Sequence, residues 1–181
     1  MISDSWRARA PAPHSQVQKH QVSSKSSPLA KYDYRRRLPH LQKSDAELFV
    51  TFCTSGRIVL PPEARDLVFE HCLREARIRL LAAVVMPDHV HLMLRPLRGD
   101  DGWPFPLVEI LQCLKSVTAH RINKLLKRSG PIWEEESFDH VLRSNESLKM
   151  KYEYIRQNPV TAGLVQRPEE YRWLTVDPQF S

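Results

Sequence analysis

Hydrophobic residues alternate with polar ones in some segments of the chain and recur every three to four residues in others. These two periods predict strands and helices respectively. Runs rich in β-branched and aromatic residues, or with strict alternation, predict strands over residues 48–53, 78–86, 89–95 and 138–143. Longer runs with helical spacing predict helices over 61–77, over 107–127, and from Ser144 or Asn145 to Asn158, before Pro159. This order predicts an α+β fold, a ferredoxin-like split βαβ sandwich whose antiparallel sheet carries helices on one face, with an additional C-terminal helix.

Composition divides the chain into a polar N-terminal part and a globular remainder. Residues 1–30 contain few large apolar side chains, so we expect a disordered tail, followed by a basic arm over 31–44 and one globular domain over 45–176. The formal net charge of +6 belongs to the N-terminal part, where residues 1–40 hold 8 Lys and Arg against 2 acidic residues. The remainder holds 19 of each, so a DNA-binding surface on the domain requires local clustering of basic residues.

Several classes of protein are excluded by what the sequence lacks. It has no apolar run of about 18 residues and no secretion signal, so we expect a cytoplasmic protein without a membrane partner. Three widely spaced cysteines favour neither a disulfide framework nor a zinc ribbon. We expect them to act as small buried hydrophobic residues.

His89 and His91 are two residues apart on a predicted strand. Their side chains therefore leave the same face, with Cα atoms roughly 6 to 7 Å apart, and one divalent cation can bridge them. A half-exposed histidine pair with a purely structural role is the alternative, and the spacing alone does not decide between the two.

The last predicted helix carries a second candidate group. With a step of about 100° per residue, Leu148, Tyr152 and Ile155 form its core face, which makes Tyr152 structural. Tyr154 lies off that face, and Asn158, four residues on, lies beside it. Attack of the Tyr154 phenol on a phosphodiester would give a 5′-phosphotyrosine and a free 3′-hydroxyl. An exposed tyrosine without a catalytic role is the alternative.

Three segments resemble the REP-associated tyrosine transposases, single-tyrosine transposases with a His-hydrophobic-His motif. These segments are 84–91, 138–143 and 154–165, within a resemblance that runs from about Arg35 to Trp173. The resemblance implies Tyr154 as the nucleophile on a catalytic C-terminal helix, and Mg²⁺ or Mn²⁺ held by His89, His91 and Asn158. Related enzymes have Gln or Asp in the position of Asn158. It also implies a substrate of single-stranded DNA folded as short hairpins, and favours a monomer over a homodimer.

Basic residues are the natural contacts for the DNA backbone. The candidates are Arg35, Arg36, Arg37, Lys115, Arg121, Lys124 and Lys127. Two rival functions remain open, a zinc hydrolase with a His-x-His site and a non-catalytic nucleic-acid-binding protein derived from a transposase.

Overall fold

A computed structural model describes residues 46–180 of the 181-residue chain. The predicted tail over 1–30 and the whole of the predicted basic arm over 31–44, with its arginines, therefore lie outside the described residues. The elements in chain order are β1 (Glu47–Cys53), α1 (Pro62–Arg74), β2 (Ile78–Val85), β3 (His89–Pro96), α2 (Leu107–Leu125), β4 (Phe138–Leu142), α3 (Asn145–Thr161) and β5 (Leu174–Val176). In this part of the chain, none of the helices combines the length and apolarity that crossing a membrane requires.

All strand pairs are antiparallel, and the strands lie side by side in the order β4-β1-β3-β2-β5. The predicted α+β class with an antiparallel, ferredoxin-like sheet is confirmed. The fifth strand was not predicted. It has only three residues and pairs with the end of β2 that precedes the turn to β3, where Leu174 lies opposite Val84.

The helices lie on both sides of this sheet. Phe52 packs edge-on against Trp133, whose indole N–H donates to Thr118 of α2, so α2 covers the face that carries Phe52. His91 is on the opposite face and contacts Tyr154 of α3. The C-terminal helix therefore packs on the face that the other two helices leave free. It does so through a buried stripe at helical spacing, formed by Leu148, Tyr152, Ile155 and Pro159.

The first helix ends three residues earlier than the sequence predicts, at Arg74 instead of Arg77. Glu75 leaves the helical conformation with a ψ of 104°. Its carboxylate accepts hydrogen bonds from both the backbone N–H and the guanidinium of Arg77. This local turn competes with another helical turn and replaces it.

The prediction that the last helix ends before Pro159 is wrong, because the helix continues to Thr161. Proline removes one backbone donor from a helix, but here the buried ring contributes to the core face. Beyond Thr161, Gly163 adopts a φ of +68°, and Gly163 N–H and Leu164 N–H donate to the carbonyls of Val160 and Pro159. These two bonds form a Schellman motif, which ends the helix at the glycine instead of at the proline. At the other end, Ser144 is the N-cap, one of the two residues predicted.

Candidate active site

The two histidines are presented by the tight turn between β2 and β3. Met86 N–H donates to the carbonyl of His89 across the turn, at 2.8 Å. The carbonyl of Asp88 accepts two further hydrogen bonds from Thr54, one from its backbone at 2.8 Å and one from its hydroxyl at 3.0 Å. The backbone that carries His89 is therefore fixed to the end of β1 as well as to β2.

A neighbouring oxygen holds the Nδ1 atom of each imidazole. The His89 Nδ1 atom lies 2.7 Å from a carboxylate oxygen of Asp88, and the His91 Nδ1 atom lies 2.7 Å from the hydroxyl oxygen of Thr51. With Nδ1 protonated and donating in both rings, each Nε2 atom keeps its lone pair for a ligand. The two ring centroids are 4.7 Å apart. The strand therefore presents two imidazole donors side by side, each oriented by a hydrogen bond.

The charge state of His91 also suits metal binding. His91 is only 5% exposed, and burial, together with the neighbouring charges of His89 and Lys151, lowers its pKa to about 3. Its imidazole is therefore neutral at physiological pH, as a metal ligand must be. The Asp88 carboxyl is half-buried, which raises its pKa, but contacts with His89 and Arg57 outweigh burial and the net pKa is lowered. Asp88 is thus an ionised acceptor for the His89 ring.

Tyr154 faces the histidines from α3. Its hydroxyl oxygen lies 3.4 Å from Nε2 of His91, and the two ring centroids are 5.1 Å apart. The side chain is 47% exposed, so the phenol borders the histidines on one side and solvent on the other. A phosphate group can therefore approach the hydroxyl without any rearrangement of the core.

Phe49 and Lys151 complete the surroundings of the phenol. The Phe49 ring stacks on His91 at 5.4 Å and meets Tyr154 edge-on at 5.9 Å. The Lys151 ammonium lies 4.5 Å from the centre of the Phe49 ring and 5.3 Å from that of Tyr154. Within residues 46–180 no carboxylate pairs with this lysine. Its positive charge is therefore available to an anion at the phenol.

The chemistry of the donors fits a divalent cation. The two imidazole rings lie together, and Asn158, one helical turn after Tyr154, is half-buried with no side-chain hydrogen bond to any described residue. Among the residues described, no further His, Cys, Asp or Glu side chain joins His89 and His91 at ligand distance. A zinc hydrolase normally has such an additional ligand.

Comparison with known proteins identifies the family. The family model described as "Transposase IS200 like" matches residues 62–158, more than half of the chain. The chain belongs to the IS200-like transposase family. The resemblance to the REP-associated tyrosine transposases is confirmed as well, because proteins with that name match the chain in sequence and in fold.

Two relatives illustrate how far the similarity extends. A Haemophilus influenzae protein with the provisional name of REP-associated tyrosine transposase is 26% identical over 91 residues, or 48% of this chain and 52% of that protein. The chain thus spans about half the length of this curated relative. A solved structure of a REP-associated tyrosine transposase bound to a REP hairpin has a TM-score of 0.60 at 20% identity. The match covers 74% of this chain and 78% of the other, and it shows that the fold is shared.

The basic residues predicted to bind DNA are not gathered at the phenol of Tyr154. Lys115, Arg121 and Lys124 belong to α2, on the other side of the sheet, and Lys127 follows that helix. The Lys115 ammonium donates to the carbonyl of Glu135 and to Ser137, and Arg121 pairs with Glu70 at 3.4 Å. Lys124 and Lys127 are exposed and pair with no described carboxylate. The predicted contacts at Arg35, Arg36 and Arg37 lie outside the described residues.

The sequence-based prediction gave no role to four residues of the site: Thr51, Phe49, Lys151 and Asp88. The first two precede the histidines by about forty residues, and only the pairing of β1 with β3 brings them together. Lys151 carried a weak signal, because it is one helical turn before Tyr154 and therefore on the same flank.

A second group of possible metal ligands lies between α1 and α2. The donor atoms of His71, Glu75 and Cys113 are within 4.8 Å of one another. Arg77, however, binds both carboxylate oxygens of Glu75, at 2.7 and 2.8 Å. Because this guanidinium already neutralises the carboxylate, we assign no cation to the group.

Proposed function

We propose that this chain cuts single-stranded DNA and rejoins the ends, with Tyr154 as the nucleophile and a 5′-phosphotyrosine as the intermediate. One observation carries the proposal: the half-exposed hydroxyl of Tyr154 lies 3.4 Å from Nε2 of His91, beside a second oriented imidazole. A phenol at that distance from a pair of metal-ligand donors is well positioned for attack on a bound phosphate.

The reaction exchanges one phosphodiester for another. The Tyr154 oxygen forms a bond to phosphorus, the bond from phosphorus to the 3′ oxygen breaks, the phenol proton passes to water and the departing 3′ oxygen takes one up. The DNA keeps a high-energy ester to the protein, so a 3′-hydroxyl can later reverse the step and seal the strand. The Lys151 ammonium assists by favouring negative charge on the phenol oxygen and on the phosphate.

In this proposal His89, His91 and Asn158 hold Mg²⁺ or Mn²⁺. When bound, the cation supplies Lewis-acid polarisation of the phosphate and neutralises part of its charge. The protein contributes orientation, because Thr51 and Asp88 fix the rings of the two histidines.

We further propose that the substrate is a DNA hairpin with an adjoining unpaired strand. The family assignment supports DNA as the substrate, and the relative with the same fold is described as bound to a REP hairpin. Exposed Lys124 and Lys127, together with Arg35 to Arg37, remain our candidates for contacts to the hairpin backbone.

The experiment uses a hairpin oligonucleotide with a single-stranded extension, labelled at its 3′ end and incubated with the full chain and Mn²⁺. Only the 3′ fragment keeps the 5′ phosphate, so a covalent adduct carries the label to the size of the protein on a denaturing gel. We expect an adduct from the unmodified protein and none from Tyr154→Phe. Tyr152→Phe changes the neighbouring buried tyrosine and serves as the matched control, with the adduct retained.

Each other outcome contradicts a specific part of the proposal. An adduct with Tyr154→Phe moves the nucleophile to another residue. Cleavage without an adduct indicates hydrolysis. Binding of the hairpin without cleavage, whichever divalent cation is added, indicates a non-catalytic DNA-binding protein.

A further inference from the structure

Phe138 is an exposed aromatic side chain at the start of β4, an outer strand of the sheet. It is 63% exposed, more than any other aromatic side chain among those described. It belongs neither to the hydrophobic core nor to the partly buried residues that pack against the core. Folding stability therefore gives no reason for a phenyl ring at this position.

The strand register puts Phe138 on the same face as the candidate active site. Phe138 lies opposite Thr51, whose hydroxyl holds Nδ1 of His91. Directly opposed residues of an antiparallel pair project from the same face. Two residues further along β4, the exposed His140 lies opposite Phe49, the residue that packs against both His91 and Tyr154.

The distance between Phe138 and His91 suits contact with a nucleotide next to the one that reacts. The strands follow one another as β4, β1, β3, so the backbone of Phe138 is two strand spacings, roughly 10 Å, from that of His91. A phenyl ring standing on the sheet at this separation is beside the phosphate position at the phenol and not on top of it.

We propose that Phe138 is a stacking platform for an unpaired base that flanks the phosphodiester attacked by Tyr154. This inference rests on the proposed function and adds to it a positioning residue and a feature of the substrate. Stacking on an aromatic ring tolerates any base and is the usual way in which proteins hold single-stranded nucleic acid. A stacked base would fix the strand relative to Tyr154, and a fully paired strand could not provide one.

The test compares Phe138→Ala, Phe138→Trp and the unmodified protein, with Trp103→Ala as the matched control. Trp103 is 53% exposed and comes after Pro96, the end of β3 that is opposite to His89. It is therefore an exposed aromatic residue remote from the site. Adduct formation is measured against oligonucleotide concentration, with intact substrates and with substrates that lack one base at each position flanking the cut.

We expect Phe138→Ala to raise the oligonucleotide concentration for half-maximal rate by about 5- to 150-fold, the range of base–aromatic stacking. Phe138→Trp and Trp103→Ala should stay close to the unmodified protein. Removal of one flanking base should raise this concentration for the unmodified protein to the same extent. The same removal should not raise it any further for Phe138→Ala.

The results separate the two proposals. If the unmodified protein forms the adduct and Phe138→Ala shows the same dependence on oligonucleotide concentration, the stacking platform alone is overturned. The stacking platform is also overturned if Phe138→Ala needs the same excess of oligonucleotide over the unmodified protein on every abasic substrate. The ring would then act through the protein and not through a stacked base. Failure of the unmodified protein to form an adduct overturns the proposed function, and the platform with it.

Discussion

Acidification should destabilise the metal-free protein through His91. The unfolded chain binds a proton at this imidazole below its ordinary pKa of 6.5, whereas the folded chain does so only near about 3. Because the unfolded state binds more protons between these values, stability is complete above pH 6.5 and falls as the pH decreases towards 3. Between about pH 7.5 and about pH 5, this single group should lower the free energy of unfolding by about 2 kcal/mol.

The measurement is urea unfolding in the presence of a chelator at both pH values, for the unmodified protein and for His91→Gln. Other groups also titrate in this range, so the informative quantity is the difference between the two proteins in their loss of stability. Glutamine cannot take up the proton, and its amide can keep a hydrogen bond to Thr51. The same substitution at the exposed His120 controls for the removal of an imidazole.

We expect the acid-induced loss to be smaller in His91→Gln by about 2 kcal/mol and unchanged in His120→Gln. Equal losses in the unmodified protein and in His91→Gln would show that the imidazole is no harder to protonate in the folded state than in the unfolded chain. In that case the neutral form of the ring could not be assumed at the active site.

Two further predictions concern the side chains that surround the histidine and the phenol. Thr51→Val removes the hydroxyl that orients His91 but keeps the shape of the side chain, so we expect affinity for Mn²⁺, measured by titration calorimetry, to fall about 10- to 100-fold. Unchanged affinity would show that the ring needs no such anchor. Lys151→Met removes the cation beside Tyr154, so adduct formation under single-turnover conditions should slow about tenfold, equivalent to about 1.4 kcal/mol on the barrier. Lys149→Met changes an exposed lysine of the same helix and should leave the rate unaltered, and a similar rate in both variants would exclude an electrostatic role for Lys151.

Most of the fold could be predicted from the sequence because each main element has its own apolar period. The alternation in 89–95 predicted that His89 and His91 share a face, and the structure has both on the face opposite Phe52. The short β5 could not be predicted. Three residues are too few to establish alternation, and its backbone pairing with β2 depends on how the chain returns after α3.

The site was predictable only within single elements. Helical spacing separates Tyr154 from the buried Tyr152, and strand spacing pairs the histidines, because each relation is local. The contacts between elements depend on strand register and on helix-sheet packing, which one sequence does not reveal. The anchoring of His91 by Thr51 is such a contact, and so is the position of Phe138 beside it.

The helix α3 packs on the sheet through Leu148, Ile155 and its other buried residues. The spacing between the proposed nucleophile and the proposed metal ligands is therefore set by the packing of the interior. No loop or hinge carries Tyr154, so a small change in side-chain volume beneath the helix would translate the phenol relative to His91. Under the proposed function, conservative variation at such hidden positions would therefore alter the rate of adduct formation while the proposed nucleophile and metal ligands stay the same, and homologues that share those residues need not have equal activity.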